Sequence, residues 1–208
     1  EVIENGVNLN NFSNKKNKNK SLFFKDKFVI GYIGTIGMAH GIEFIVNAIP
    51  QLNIKNIHFL IIGDGSRVRE IKGIAQDRSI RNLTILEPVP RNKVHEVYSQ
   101  IDVALVNLKK SEAFKKVIPS KIFEAAAYQK PILLGVEGES QKIIKKFNAG
   151  SCYKPENLTS FKRSIKETMN LKNYEAYQRG CSKIANEYSR EKLAKKMFAI
   201  LKKVKETY

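Results

Sequence analysis

The chain has 208 residues, 42% of them hydrophobic, which is enough to bury the core of one domain at the upper end of ordinary domain size. No apolar run approaches the roughly 20 residues that span a bilayer, and Glu1 opens without the charged and apolar regions of a secretory leader. The formal charge of +17 rests on 37 basic residues, most of them lysine, a profile that codon bias in an AT-rich genome also produces, so specific nucleic-acid binding is not expected.

Residues 1–8 read as a short lead-in strand ending in an Asn-Gly turn, and 14–20, rich in Lys and Asn without periodicity, as a solvated loop. From there the pattern is regular. Apolar strands are predicted over 28–33, 58–62, 83–86, 103–106, 132–134 and 151–153. Helices are predicted between them over 42–49, 66–76, 92–100, 119–128 and 139–147. Short continuous apolar strands alternating with helices indicate an α/β fold: a Rossmann-like, doubly wound parallel sheet with helices on both faces. Residues 158–204 read as a helical C-terminal segment. Its last helix repeats Leu193, Met197, Ile200 and Val204 at helical spacing, a stripe that must pack on something, this domain being the plain candidate. The expected organisation is a linker with its lead-in strand and loop over 1–26, a Rossmann-like core over 27–156, and C-terminal helices of the same domain over 157–208.

Cys152 and Cys181 lack metal or redox spacing, so a reduced, cytoplasmic chain is expected. The charge is uneven: residues 142–208 carry a net +11, which suits an anionic membrane face at least as well as DNA.

In such folds, ligands bind outside the carboxyl ends of the strands. Two segments stand there. Gly31-Tyr32-Ile33-Gly34-Thr35-Ile36-Gly37 ends the first long strand, and its glycines let a backbone approach a phosphate. Their spacing is not that of a dinucleotide fingerprint, and no acidic residue stands at the end of the second strand before Asp64, which argues against an NAD-dependent oxidoreductase. His40 follows that turn; alone it reads as a surface or capping residue. The second segment, Pro119-Ser120-Lys121-Ile122-Phe123-Glu124, opens an Ala-rich helix. A helix start holds phosphate through unpaired N–H groups, and Ser120 and Lys121 stand there. Lysine is intrinsically unfavourable at that end, so Lys121 is either a solvated lysine or a counter-charge to a bound anion. Glu124 is placed to accept hydrogen bonds from a ribose or sugar diol. Glu87-Pro88-Val89-Pro90-Arg91 is a proline turn before a helix, or a wall that meets a base through Val89 and Arg91.

Taken in order, these segments resemble the C-terminal, donor-binding half of a GT-B glycosyltransferase of the group 1 (family 4) type, over nearly the whole chain. Asn5-Gly6-Val7-Asn8 with Phe12 is similar to the segment leading from the interdomain linker into that half. Tyr32-Ile33-Gly34-Thr35 with His40-Gly41 is similar to its phosphate loop. Phe59 to Gly65, Ile101 to Val106, and Phe123 to Ala127 through Pro131 match in sequence. The resemblance implies a donor site of Gly34, Thr35, His40, Val89, Arg91, Lys116, Ser120, Lys121 and Glu124. The diphosphate would lie at Gly34, Thr35 and the N–H groups of Ser120 and Lys121, and Glu124 would hold the ribose. Thr35 and His40 stand where the family often has arginine and lysine, and Lys116 stands where it often has the first of two glutamates.

The Pro-Ser-Lys start resembles enzymes of bacterial surface-polysaccharide synthesis, so the implied activity is retaining transfer from a nucleoside-diphosphate sugar, UDP-linked. Family members often need no divalent metal, and there is no Asp-x-Asp pair, so neither metal nor other cofactor is expected. The main catalytic groups belong to an N-terminal acceptor-binding half, without which this chain is expected to bind donor but not turn over. A lipid-linked acceptor at the inner face of the plasma membrane is the implied setting. The alternative is a non-enzymatic Rossmann-like module for a nucleotide or nucleic acid.

Overall fold

The structure, a computed structural model, describes residues 2–9, 12, 21 and 24–207; the Lys/Asn-rich loop lies outside the described residues. Six strands, β1 (Phe28–Ile33), β2 (Ile57–Ile62), β3 (Leu83–Leu86), β4 (Val103–Asn107), β5 (Ile132–Gly135) and β6 (Gly150–Cys152), form one sheet in the order β3-β2-β1-β4-β5-β6. Every neighbouring pair is parallel. The apolar runs are therefore explained by burial on both faces: β2, β4 and β5 are buried at every position.

Alternation along the strands divides the core in two. Leu60, Ile62, Val106, Ile132 and Leu134 face α3 (Val94–Gln100), α4 (Lys121–Ala127), α5 (Glu139–Phe147) and α7 (Leu171–Glu187), through Val97, Phe123, Ile144 and Ile184. Phe59, Ile61, Val103, Leu105 and Leu133 face α1 (Ile42–Ala48), α2 (Val68–Asp77) and α6 (Leu158–Met169), through Ile45, Ile71 and Phe161. The predicted doubly wound sheet is the one observed.

Two expectations change. Residues 2–6 form no strand, and Val7 makes a single parallel bridge to Ser189. The partner is the turn between α7 and α8 (Arg190–Thr207), too short to extend a ladder; Val7 N donates to Tyr188 O and Arg190 N to Val7 O, each at 2.9 Å. The stripe on α8 is only partly covered by this domain. Leu193 is 9% exposed and Ile200 is partly buried, but Met197 and Val204 are 50% and 51% exposed, so half of the stripe faces outward.

The strand order reverses between β1 and β4: the chain winds outward through β2 and β3, then returns to β4 and winds the other way. Loops leaving β1 and β4 therefore diverge, and a crevice opens between them.

Candidate functional site

Gly34 is the first residue beyond β1. Its N–H donates to Ile62 O at 2.8 Å, and its φ of +127° is open to glycine and strained for other residues. Across the crevice, Pro119 and Ser120 start α4. Ser120 O accepts from Phe123 N (3.1 Å) and Glu124 N (3.2 Å), while its hydroxyl makes no capping bond. Lys121 begins the helix and reaches back over the β1 end, with its Nζ 5.6 Å from the Tyr32 ring centroid.

Glu124 lies one turn further along, half-buried. Burial raises its carboxyl above the usual range, opposed by the positive charges of Lys121 and Arg91. Burial in turn lowers the Lys121 ammonium, opposed by Glu124. A cation and a carboxylate three positions apart are thus held partly out of water at one end of the sheet. Each is available to a ligand that brings both an anion and hydroxyl groups.

A pocket of about 260 Å³ occupies this crevice, lined among others by Gly34, Val89, Ser120, Lys121 and Glu124. A second, of about 210 Å³, shares Ser120 and Glu124 and continues along Arg91, Asn5, Asn8 and Arg190. The two are lobes on either side of the first turn of α4. Of the residues singled out in the sequence, Gly34, Val89, Ser120, Lys121 and Glu124 meet in the first lobe, and Arg91 stands in the second. Thr35, His40 and Lys116 line neither. Thr35 is exposed, and its carbonyl accepts the Tyr32 hydroxyl. Lys116 is exposed at the end of a 3-10 turn, Glu112–Lys116.

His40 ends another 3-10 turn, Met38–His40. Its Nδ1 accepts the Gly37 N–H at 3.3 Å, and its ring is 6.3 Å from Tyr32. Burial, and then the charge of Lys121, lower its pKa below the ordinary value, which favours a neutral ring with the proton on Nε2.

Sequence reasoning did not assign the second lobe. Asn5, Asn8 and Arg190 lie far apart in the chain and meet only because the Val7 bridge pins the leading segment to the root of α8. Among the described residues, no group of three or more His, Cys, Asp or Glu is placed to hold a metal ion, and no helix is long and apolar enough to cross a membrane.

The sequence profile of the family described as glycosyl transferases group 1 matches residues 13–188. WcaI of Escherichia coli (strain K12), a protein assigned a glycosyl transferase role in colanic acid biosynthesis, is 24% identical over 173 residues, which is 82% of this chain and 40% of WcaI. A glycosyltransferase from Rickettsia africae ESF-5 superposes with a TM-score of 0.80 at 18% identity, over 100% of this chain and 58% of that one. HepE (Alr3699) of Anabaena, solved in complex with UDP and glucose, superposes with a TM-score of 0.75 at 16% identity, over 97% of this chain and 56% of HepE. This chain therefore spans two-fifths to three-fifths of the relatives it matches, and at these identities the structural likenesses speak to fold.

Proposed function

The chain belongs to the group 1 glycosyltransferases, and from that premise we propose that it is the donor-binding half of a retaining enzyme. The donor is a nucleoside-diphosphate sugar, UDP-linked, and the pathway is bacterial surface-polysaccharide synthesis. The observation that carries this reading is the crevice at the β1/β4 reversal, where Lys121 Nζ lies against Gly34 and Glu124 stands one turn along the same helix.

The roles follow from the chemistry. The diphosphate lies against Gly34 and Thr35 and the first N–H groups of α4, with Lys121 supplying the counter-charge. Glu124 accepts the ribose hydroxyls, and the base rests near Val89 and Arg91. His40 is a neutral donor at the edge of the site, and Lys116, exposed outside both lobes, is given no contact with the donor in this reading. HepE was solved with UDP and glucose, which supports a UDP-linked donor for a domain of this fold. The acceptor-binding half, with the main catalytic groups, lies in polypeptide that this chain does not contain. This chain binds donor without turning it over. The whole enzyme works peripherally at the cytoplasmic face of the membrane on a lipid-linked acceptor, held there by the basic last third.

Calorimetric titration with UDP and UDP-sugars tests the reading. Saturable binding that Glu124→Ala abolishes is the expected result; no binding at millimolar nucleotide overturns it.

A further inference from the structure

Asn107 is the one polar residue of β4, and it is 2% exposed at the end of an otherwise apolar strand. Every arm of its amide is engaged. Nδ2 donates to His40 O at 2.7 Å and to Gly41 O at 3.3 Å, while Oδ1 accepts the Tyr153 hydroxyl at 2.6 Å. The direction of each bond is fixed. The two carbonyls can only accept, so the amide nitrogen faces the turn, its oxygen faces Tyr153, and the phenol must donate. Tyr153, just past β6, is 1% exposed, so its hydroxyl has no water to turn to.

The surroundings are cut to fit this chain of bonds. A Cβ at Gly135 would collide with both Asn107 Oδ1 and Tyr153 Oη, so the adjoining strand end is left bare where the two side chains meet. Gly41 stands in the left-handed region with φ +60°, and Lys109 N donates to Ala39 O at 2.9 Å, a second tie on the same turn. That turn carries His40, whose Nδ1 is in turn occupied by Gly37 N–H. An apolar residue at 107 would fill the space as well. What the amide adds is a fixed position for the backbone at 40–41.

We propose that Asn107 and Tyr153 are positioning residues for nucleotide binding, holding the turn after β1 so that His40 presents its Nε2–H to the donor. This rests on the reading of the crevice as a donor site. It assigns a role to two buried residues that touch no ligand themselves.

Tyr153→Phe deletes one hydroxyl and leaves the packing. Its control is Thr168→Val, which deletes another buried bond, Thr168 Oγ1 to Ser164 O at 2.8 Å, made within α6 and not connected to the turn. UDP affinity is measured by calorimetry, and the His40 tautomer by long-range proton–nitrogen NMR, its signal identified by its loss in His40→Gln. Tyr153→Phe is expected to weaken UDP by about three- to tenfold and to blur the His40 tautomer, whereas Thr168→Val lowers the unfolding temperature and leaves both unchanged. Equal effects of the two variants on UDP, or an unaltered His40 tautomer in Tyr153→Phe, would overturn the proposal. If the unaltered chain binds no UDP, the donor reading fails, and the His40 signal alone decides whether the clamp exists.

Discussion

A side chain on Gly34 would compete with Lys121 for the same space: a Cβ built there lies 2.5 Å from Lys121 Nζ and 2.8 Å from its Cε. The first residue beyond β1 and the first of α4 are thus fitted to each other across the point where the strand order reverses. That fit brings a cation onto a bare backbone turn, and it is the core of the site.

Gly34→Ala should therefore act twice. The φ of +127° becomes strained, at a cost of about 1–3 kcal/mol, and the lysine is displaced. Thermal unfolding should register the first effect. A fall of about tenfold or more in UDP affinity should register the second.

Glu124→Gln should separate function from stability. Because burial raises the folded carboxyl above its unfolded value, the folded state holds a proton that the unfolded state has already lost, and stability falls as pH rises through that window. The variant removes this cost. It should be at least as stable as the parent at pH 7, with the advantage shrinking as pH falls into the carboxylate range. Its UDP affinity should drop by about tenfold, since a carboxylate accepting two hydroxyls becomes a weaker acceptor.

His58 predicts the acid limb of stability. It is buried in β2, its Nε2 lies 2.9 Å from Thr84 Oγ1, and burial, helped by the charge of Lys27, pushes its pKa down to about 4. Between pH 6.5 and 4 the unfolded chain takes up a proton that the folded chain refuses, so stability is lost as pH falls through that interval, by roughly 2–3 kcal/mol. Denaturant melts of His58→Gln should show a flatter profile over the same range.

The basic last third should bring the chain to anionic vesicles. Each lysine near such a surface contributes roughly 1 kcal/mol, screened within about 8 Å at physiological salt. Co-sedimentation with anionic liposomes at low salt should be clear, absent with neutral lipid, and reduced in Lys196→Glu with Lys202→Glu. Charge scattered by genome bias alone would give no retention even at low salt.

Most of this fold was legible because its signals are local. β1 and β3 fall where the apolar runs place them, and α4 starts where Pro119 and Ser120 end the preceding loop. Lys121 and Glu124 were legible for the same reason, being one turn apart on a helix whose start the sequence marks. What was not legible depends on partners distant in the chain. The 3-10 turns Met38–His40 and Glu112–Lys116 are fixed by bonds such as Lys109 N to Ala39 O and Ser140 Oγ to Val117 O. Lys116 is consequently carried out to solvent. The lobe of Asn5, Asn8 and Arg190 needs the Val7–Ser189 bridge, and the stripe on α8 gave no sign from its period that Met197 and Val204 would be left exposed.

If the crevice between Gly34 and α4 holds the diphosphate of a nucleotide donor, Lys121→Ala must act on UDP and not on uridine. Lys121 is the cation at that crevice, and a charge-assisted hydrogen bond sheltered from water is worth about 1.5–3 kcal/mol. By calorimetry, Lys121→Ala should weaken UDP by roughly tenfold or more and leave uridine nearly unchanged. Equal losses for the two ligands, or UDP binding that the substitution does not touch, would place the phosphates elsewhere.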